Sequence, residues 1–257
     1  MKIFTMCMEC QKELGHPSFE PIIADYYDEA IAYVECSRGH RSALMLQSHK
    51  FEVLLESSAN ALLEGYTLEA ASTLAAAYER FFEFSIKVLC KKLKVDNKEV
   101  SATFKNVSRQ SERQFGAFLF LHLVVFGYSY KVNEKIAKFR NKVVHKGYIP
   151  NLEEIRDFGG QIYNEIFNLT QKLKSECSEE IQLVTHDELV LKSQKLPTNL
   201  PRATTTGTMF FCLANSEHKP SFLEALESFS KSRVMLQNSM PEMEAVWKSI
   251  ANNRNGL

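Results

Sequence analysis

The apolar positions change their period twice along the chain. Residues 1–48 read as short strands, with apolar-rich DEAIAYVEC and RSALMLQ on either side of SRGH, which predicts a β-hairpin with a tight turn. From residue 49 to 177 the spacing becomes helical. HKFEVLLESSANALLEG closes at Gly65, and TLEAASTLAAAYERFFEFSIKVLCKKLKV follows with Thr67 as the expected N-cap. Its alanines suit close packing, and Lys91, Lys92 and Lys94 fall at the end where the helix dipole favours cations. NKEVSATFKNV, SERQFGAFLFLHLVVFGYS, NEKIAKFRNKVVHKG and NLEEIRDFGGQIYNEIFNLTQKLKSE continue the helical series. Helices joined by short links predict an antiparallel helical bundle.

After residue 178 the pattern shifts again. IQLVTHDELVLKS and TGTMFFCLA read as strands, LPTNLPRATTTG as an exposed loop, and PSFLEALESFSKSRVMLQN and PEMEAVWKSIAN as helices. The expected fold is therefore mainly α, in three parts: a small β module over 1–48, a helical bundle over 49–177, and a small α/β appendage of unassigned role over 178–257.

Composition narrows the function classes. The chain has 257 residues, 45% of them apolar and 24% charged, which is globular. Its 31 basic and 31 acidic side chains cancel, so any anion-binding surface has to be local. FGAFLFLHLVVFGY is too short to cross a bilayer and is interrupted by His122, which predicts a helix buried in protein and no membrane partner. MKIFTMCMEC has no basic region followed by an apolar run, so a secretory signal is not expected. Six cysteines then read as reduced thiols or metal ligands, and the expected setting is cytoplasmic.

Cys7-x-x-Cys10 and Cys36-x-x-x-His40 have the spacing of a structural zinc site. Zn²⁺ takes four sulfur or nitrogen ligands in a tetrahedron, two from each turn, and Gly39 allows the backbone to bring His40 round. A module this small buries little core, so a metal worth about 10–16 kcal/mol would be its main reason to fold. His16 and His49 are rivals for the histidine position. With four protein ligands the expected zinc is structural, in a zinc-ribbon-like module.

The second constellation is KFRNKVVHKG. On a helical wheel Ile136, Phe139, Val143 and Val144 define the apolar face, and Arg140 falls roughly 20° from its centre. A guanidinium there needs an anion. Asn141 and His145 share a face, so a hydrogen bond between them is expected to set the imidazole tautomer. Arg140 and His145 stand roughly 140° apart around a regular helix. Converging them on one phosphate therefore calls for a loosened helix end or for two copies meeting across a two-fold axis.

The helical central region and Arg140-Asn141-x-x-x-His145 resemble the HEPN superfamily, whose nuclease members carry Arg-x-x-x-x-His. The resemblance covers residues 49–177. It implies a metal-independent endoribonuclease with a composite homodimeric site, acting as a toxin or antiviral effector. Arg140 and His145 would be the catalytic pair, Asn141 the supporting polar residue, and Glu79 the acidic residue from an earlier helix.

The residue types fit RNA, which carries its own 2′-OH nucleophile. An imidazole can move the proton, a guanidinium can hold the phosphate oxygens, and the products would be a 2′,3′-cyclic phosphate and a 5′-OH. Lys138, Lys142 and Lys146 would hold flanking phosphates. Two rival readings stand beside this one: a non-catalytic RNA- or protein-binding module, and a toxin subunit silenced by a regulatory partner protein. His186-Asp187-Glu188 reads as solvent-facing, His122 as a satisfied core histidine, and Phe81, Phe82 and Phe84 as core.

Overall fold

The computed structural model describes residues 2–16, 18–108, 110–215 and 220–238. The segment PEMEAVWKSIAN, expected to be helical, lies outside them. The fold is mainly helical, with eight α-helices and two small sheets among the described residues. The chain forms two compact units, one of Met1–Gln47, Leu189–Met209 and Glu227–Leu257, the other of Ser48–Glu188 and Phe210–Leu226.

In the first unit, β1 (Lys2–Thr5) pairs antiparallel with β2 (Ile22–Asp25), and α1 (Met8–Leu14) lies between them in sequence. The helix α1 departs from the all-strand reading of residues 1–48. Cys7 caps it, accepting a hydrogen bond from the Cys10 amide, and Gly15 ends it in the left-handed conformation at φ 71°. The expected hairpin is present: β3 (Ile31–Glu35) pairs antiparallel with β4 (Arg41–Leu46), with Ile31 opposite Met45 and Glu35 opposite Arg41. On the other side of β4 runs β5 (Arg202–Thr205), parallel, with Ala43 opposite Arg202 and Leu46 opposite Thr205. β4 is thus the central strand of its sheet, and its residues from Ser42 to Leu46 are buried, on both faces of the strand. Ile31, Ala43, Met45 and Leu196 form its small core.

Three readings of the C-terminal third are corrected here. The segment 181–193 is helix, the last part of α7 (Leu152–Ser193), because Ile181 and Val184 are buried and Glu188 half-buried at helical spacing. RATT, read as loop, is strand β5, since β4 offers it a free edge. TGTMFFCLA is not a strand. The buried carboxylates of Glu56 and Glu52 accept the Phe210 amide at 3.2 Å and the Leu213 amide at 2.7 Å, so those donors need no ladder. A 3₁₀ turn, Leu213–Asn215, and α8 (Phe222–Asn238) follow, the latter as expected.

The second unit is built on α2 (Lys50–Leu63), α3 (Thr67–Lys92), α4 (Asn97–Val107), α5 (Ser111–Phe126), α6 (Glu134–Lys146) and the greater part of α7. Tyr66 rather than Thr67 is the N-cap of α3, with Thr67 its first residue. Ala70, Ala71, Ala75 and Ala77 are buried on α3, which lets neighbouring backbones approach, while Phe51, Phe81, Leu55, Leu74, Ile155 and Ile162 fill the core. Phe82 and Phe84 are buried with them. His122 is a satisfied core histidine, buried among aromatic rings, and its Nδ1 bonds the Tyr128 carbonyl at 3.1 Å. No described helix is long and apolar enough to cross a membrane.

Gly159 is fixed by packing. A Cβ there would meet the Phe222 ring at 2.5 Å. Gly159→Ala is expected to destabilise the protein by about 1–3 kcal/mol, measured by denaturant unfolding, and Phe222→Leu should relieve part of that cost.

Glu188, read as solvent-facing, is instead part of a half-buried charge cluster around the buried His49. It takes His49 Nδ1 at 3.0 Å and Lys87 Nζ at 3.1 Å, while His49 Nε2 meets Thr185 Oγ1 at 3.1 Å. Burial opposes ionisation of Glu188, but the hydrogen bond and charge of His49, with Lys87, outweigh it and hold the carboxyl at about 2. A depressed folded value means stability present above the ordinary 4.5 and lost as the pH falls toward 2. Chemical unfolding across that window should lose roughly 3 kcal/mol to this group, at about 1.36 kcal/mol per pH unit. Glu188→Gln should flatten that part of the profile.

Candidate metal centre and Arg140–His145 site

The four predicted metal ligands come together. The ligand atoms of Cys7, Cys10, Cys36 and His40 all lie within 4.8 Å of one another, and the three cysteines are buried. Cys7 and Cys10 come from the start of α1. Cys36 and His40 come from the β3–β4 turn, closed by the Gly39 amide on the Cys36 carbonyl at 2.9 Å with Gly39 at φ 80°. Cys10 and Cys36 sulfurs stand 3.7 Å apart, and His40 Nδ1 is 3.3 Å from Cys10 and 3.8 Å from Cys7. A tetrahedral Zn²⁺ with bonds of about 2.3 Å to sulfur sets sulfurs roughly 3.8 Å apart, so the spacing suits the ion.

The outer ring nitrogen, His40 Nε2, meets Glu13 Oε1 at 3.0 Å, and Arg38 holds Glu13 at 2.9 Å. Such a carboxylate fixes the ring and raises its basicity toward a metal. Burial pushes the Cys10 thiol up to about 12. For Cys36 burial acts the same way, but the His40 and Arg38 amides outweigh it and bring the thiol down to about 7. A divalent ion is what would let all three sulfurs ionise together. His16 and His49 lie outside this cluster; His16 stacks on Phe19, and His49 is bound to Glu188 and Thr185.

The second site is set by α6. Asn133 caps its start, accepting from the Lys135 amide at 3.1 Å, and Gly147 ends it at φ 64°. Ile136 and Val143 are buried and Phe139 packs on Phe158, centroids 4.6 Å apart. Val144, expected on this face, is 45% exposed. Arg140 sits on the buried stripe with its side chain 20% exposed, and its anion is Glu79 Oε1, 2.7 Å from Nη2.

Arg140 Nη2 also donates to Ser111 Oγ at 3.2 Å, and Nη1 reaches Asn141 Oδ1 at 3.0 Å and His145 Nε2 at 2.9 Å. The expected obstacle of roughly 140° between Arg140 and His145 disappears within one chain, because the long arginine side chain folds back along the helix. Neither a loosened helix nor a second copy is needed to join them. Asn141 bonds Arg140 rather than His145, so the expected Asn141–His145 contact is replaced. A guanidinium only donates, so His145 Nε2 accepts and carries its lone pair there. Sequence reasoning missed Ser111, whose only signal is its place at the start of α5.

The three lysines differ. Lys138 pairs with Glu134 at 3.0 Å, both largely exposed. Lys142 lies over the Tyr148 ring, 3.2 Å from its centroid, and 3.6 Å from Glu154. Lys146 is exposed on the last turn. Glu79 and Arg140 form a ridge between two clefts. One, of about 200 Å³, is lined by apolar and aromatic side chains with Ser111, Glu112, Gln114, Asn133 and Asn141. The other, of about 430 Å³, is lined by Ser72, Ala75, Ala76, Val144 and Gly147.

No protein-family model matches the chain, and no curated protein or solved structure matches it.

Proposed function

We propose that the chain is a metal-independent endoribonuclease of the HEPN type, with Arg140 and His145 as the catalytic pair on an antiparallel helical bundle. The observation that carries this reading is the 2.9 Å bond from Arg140 Nη1 to His145 Nε2 on an exposed turn beside two clefts. An arriving phosphate competes for the guanidinium. As Arg140 turns to the non-bridging oxygens, Nε2 is released with its lone pair toward the 2′-OH. Nε2 takes the 2′-OH proton as the 2′-oxygen attacks phosphorus, the bond to the 5′-oxygen breaks, that oxygen takes a proton from water, and the products are a 2′,3′-cyclic phosphate and a 5′-OH. Glu79 and Asn141 hold the guanidinium in place. Lys146, with Lys138 and Lys142 released from their carboxylates, would meet flanking phosphates.

The active form in this reading is a homodimer, as in the family resemblance, used as a toxin or antiviral effector under a regulatory partner. The cysteine cluster holds a structural zinc ion. With three thiolates and an imidazole, that ion has no open position for chemistry.

A second reading is favoured by the saturation of Arg140, all four of whose Nη protons have partners in the chain. In it, Arg140 staples α6 to α3 and α5, and the protein is a non-catalytic RNA- or protein-binding scaffold. Incubating the dimer with RNA in a chelator, then mapping the ends, separates the two. Cyclic-phosphate ends support the nuclease; RNA retained but intact supports the scaffold.

A further inference from the structure

Resting on the reading that Arg140 and His145 handle an RNA phosphate, we infer that the cleft of about 200 Å³ between α3, α5 and α6 is a base-recognition pocket. It would take the nucleobase adjoining the scissile phosphate, and it favours a base with an exocyclic amine. In its wall the partly exposed Phe115 packs on the buried Phe82, centroids 4.8 Å apart, and Ile136 and Ala137 line it from α6. Aromatic and aliphatic walls offer a splayed-out base a stacking surface that a phosphate or sugar would not use.

Glu79, Ser111 and Asn141, which bond Arg140, also line this cleft together with Glu112, Gln114 and Asn133, so a nucleotide whose phosphate meets Arg140 has its base within reach of the cleft. The donor pattern adds selectivity. Glu79 Oε1 is taken by Arg140, while among the described residues no group takes Oε2. A carboxylate oxygen only accepts, so it pairs well with an exocyclic amine, whereas uracil offers it a single N3–H flanked by two repelling carbonyl oxygens. Gln114 is buried at the same cleft but takes no part in reading, because its amide is already committed to Arg80 and the Ser108 carbonyl.

Ala137 is exposed on α6, so Ala137→Trp fills the cleft without entering the core. The probe is an RNA oligonucleotide with one 2-aminopurine, titrated into wild type, into His145→Ala and into Ala137→Trp. Quenching of the probe by the first two, with affinity falling at least about tenfold in Ala137→Trp, is the expected result, since one stacked base is worth roughly 5–150-fold. Phe115→Leu, which keeps an apolar side chain there, should weaken quenching in the same direction.

Cleavage gives the second readout. Placing an abasic ribonucleotide at the site of cutting should slow wild type about as much as Ala137→Trp does, and the two changes together should add little. Wild type that cuts abasic and intact RNA at equal rates overturns the pocket while leaving the nuclease standing. Quenching without cleavage by any variant keeps the pocket and removes the nuclease. No quenching by folded wild type removes the pocket outright.

Discussion

His145→Ala is expected to slow RNA cleavage by about 10²–10⁴-fold, the range for loss of a general acid–base group. Arg140→Ala should cost about 10²–10³-fold in kcat together with weaker RNA retention, because the guanidinium meets charge that grows in the transition state. Arg140→Lys should not restore it. An ammonium cannot bridge Glu79, Ser111, Asn141 and His145 as the planar fork does. The structural consequence of the two changes differs. His145 is exposed and its removal should leave the unfolding transition in place. Arg140→Ala strands the partly buried Glu79 carboxylate, so some loss of stability accompanies it, and Arg140→Ala with Glu79→Gln should recover stability without recovering activity. If His145→Ala cuts RNA at the wild-type rate, the proposed chemistry fails whatever Arg140 does.

The second large effect is expected from the metal. Purified protein should carry one zinc ion per chain, and Cys10→Ser or Cys36→Ser should lose it. Structural zinc contributes an apparent 10–16 kcal/mol or so to small modules, far more than the core of Ile31, Ala43, Met45 and Leu196 can supply. Stripping the ion with a strong chelator should therefore open the unit containing Met1–Gln47 to proteolysis, read as early cleavage in that segment. Glu13→Gln should weaken zinc retention by about 10–100-fold while leaving the four ligands in place. Brief chelation that leaves zinc bound should not slow RNA cleavage. Protein that folds and resists protease with no metal bound would show that the sulfur cluster packs as ordinary thiols.

Much of this was legible from local pattern. Helical spacing announced α2 to α6, and α2, α5 and α6 also close on glycines that stop them, Gly65, Gly127 and Gly147. The β3–β4 hairpin was legible for the same reason, with Gly39 in its turn. Cys7, Cys10, Cys36 and His40 were legible as a set because paired spacing leaves few other uses for those residues.

The failures share one cause. The segment 181–193 fits a strand and a helix about equally well by its apolar positions, and what decides it is the core that Ile181 and Val184 enter and the ion pairs made by Asp187 and Glu188. The Thr-rich RATT becomes a strand only because β4 leaves an edge open far away in sequence. Phe210 and Phe211 are buried without a ladder because carboxylates on α2 take neighbouring amides.

The sequence by itself determined the mainly helical character, the hairpin, the clustering of Cys7, Cys10, Cys36 and His40, and the placing of Arg140 on a buried stripe that demands an anion. Each of those follows from periodicity or from the chemistry of residues close together in the chain. Only the tertiary structure decided that Glu79 and Ser111 answer that demand, that the arginine itself closes the angle to His145, and that an aromatic cleft opens beside them. Those outcomes depend on side-chain reach and on which helices become neighbours, and no local period encodes either.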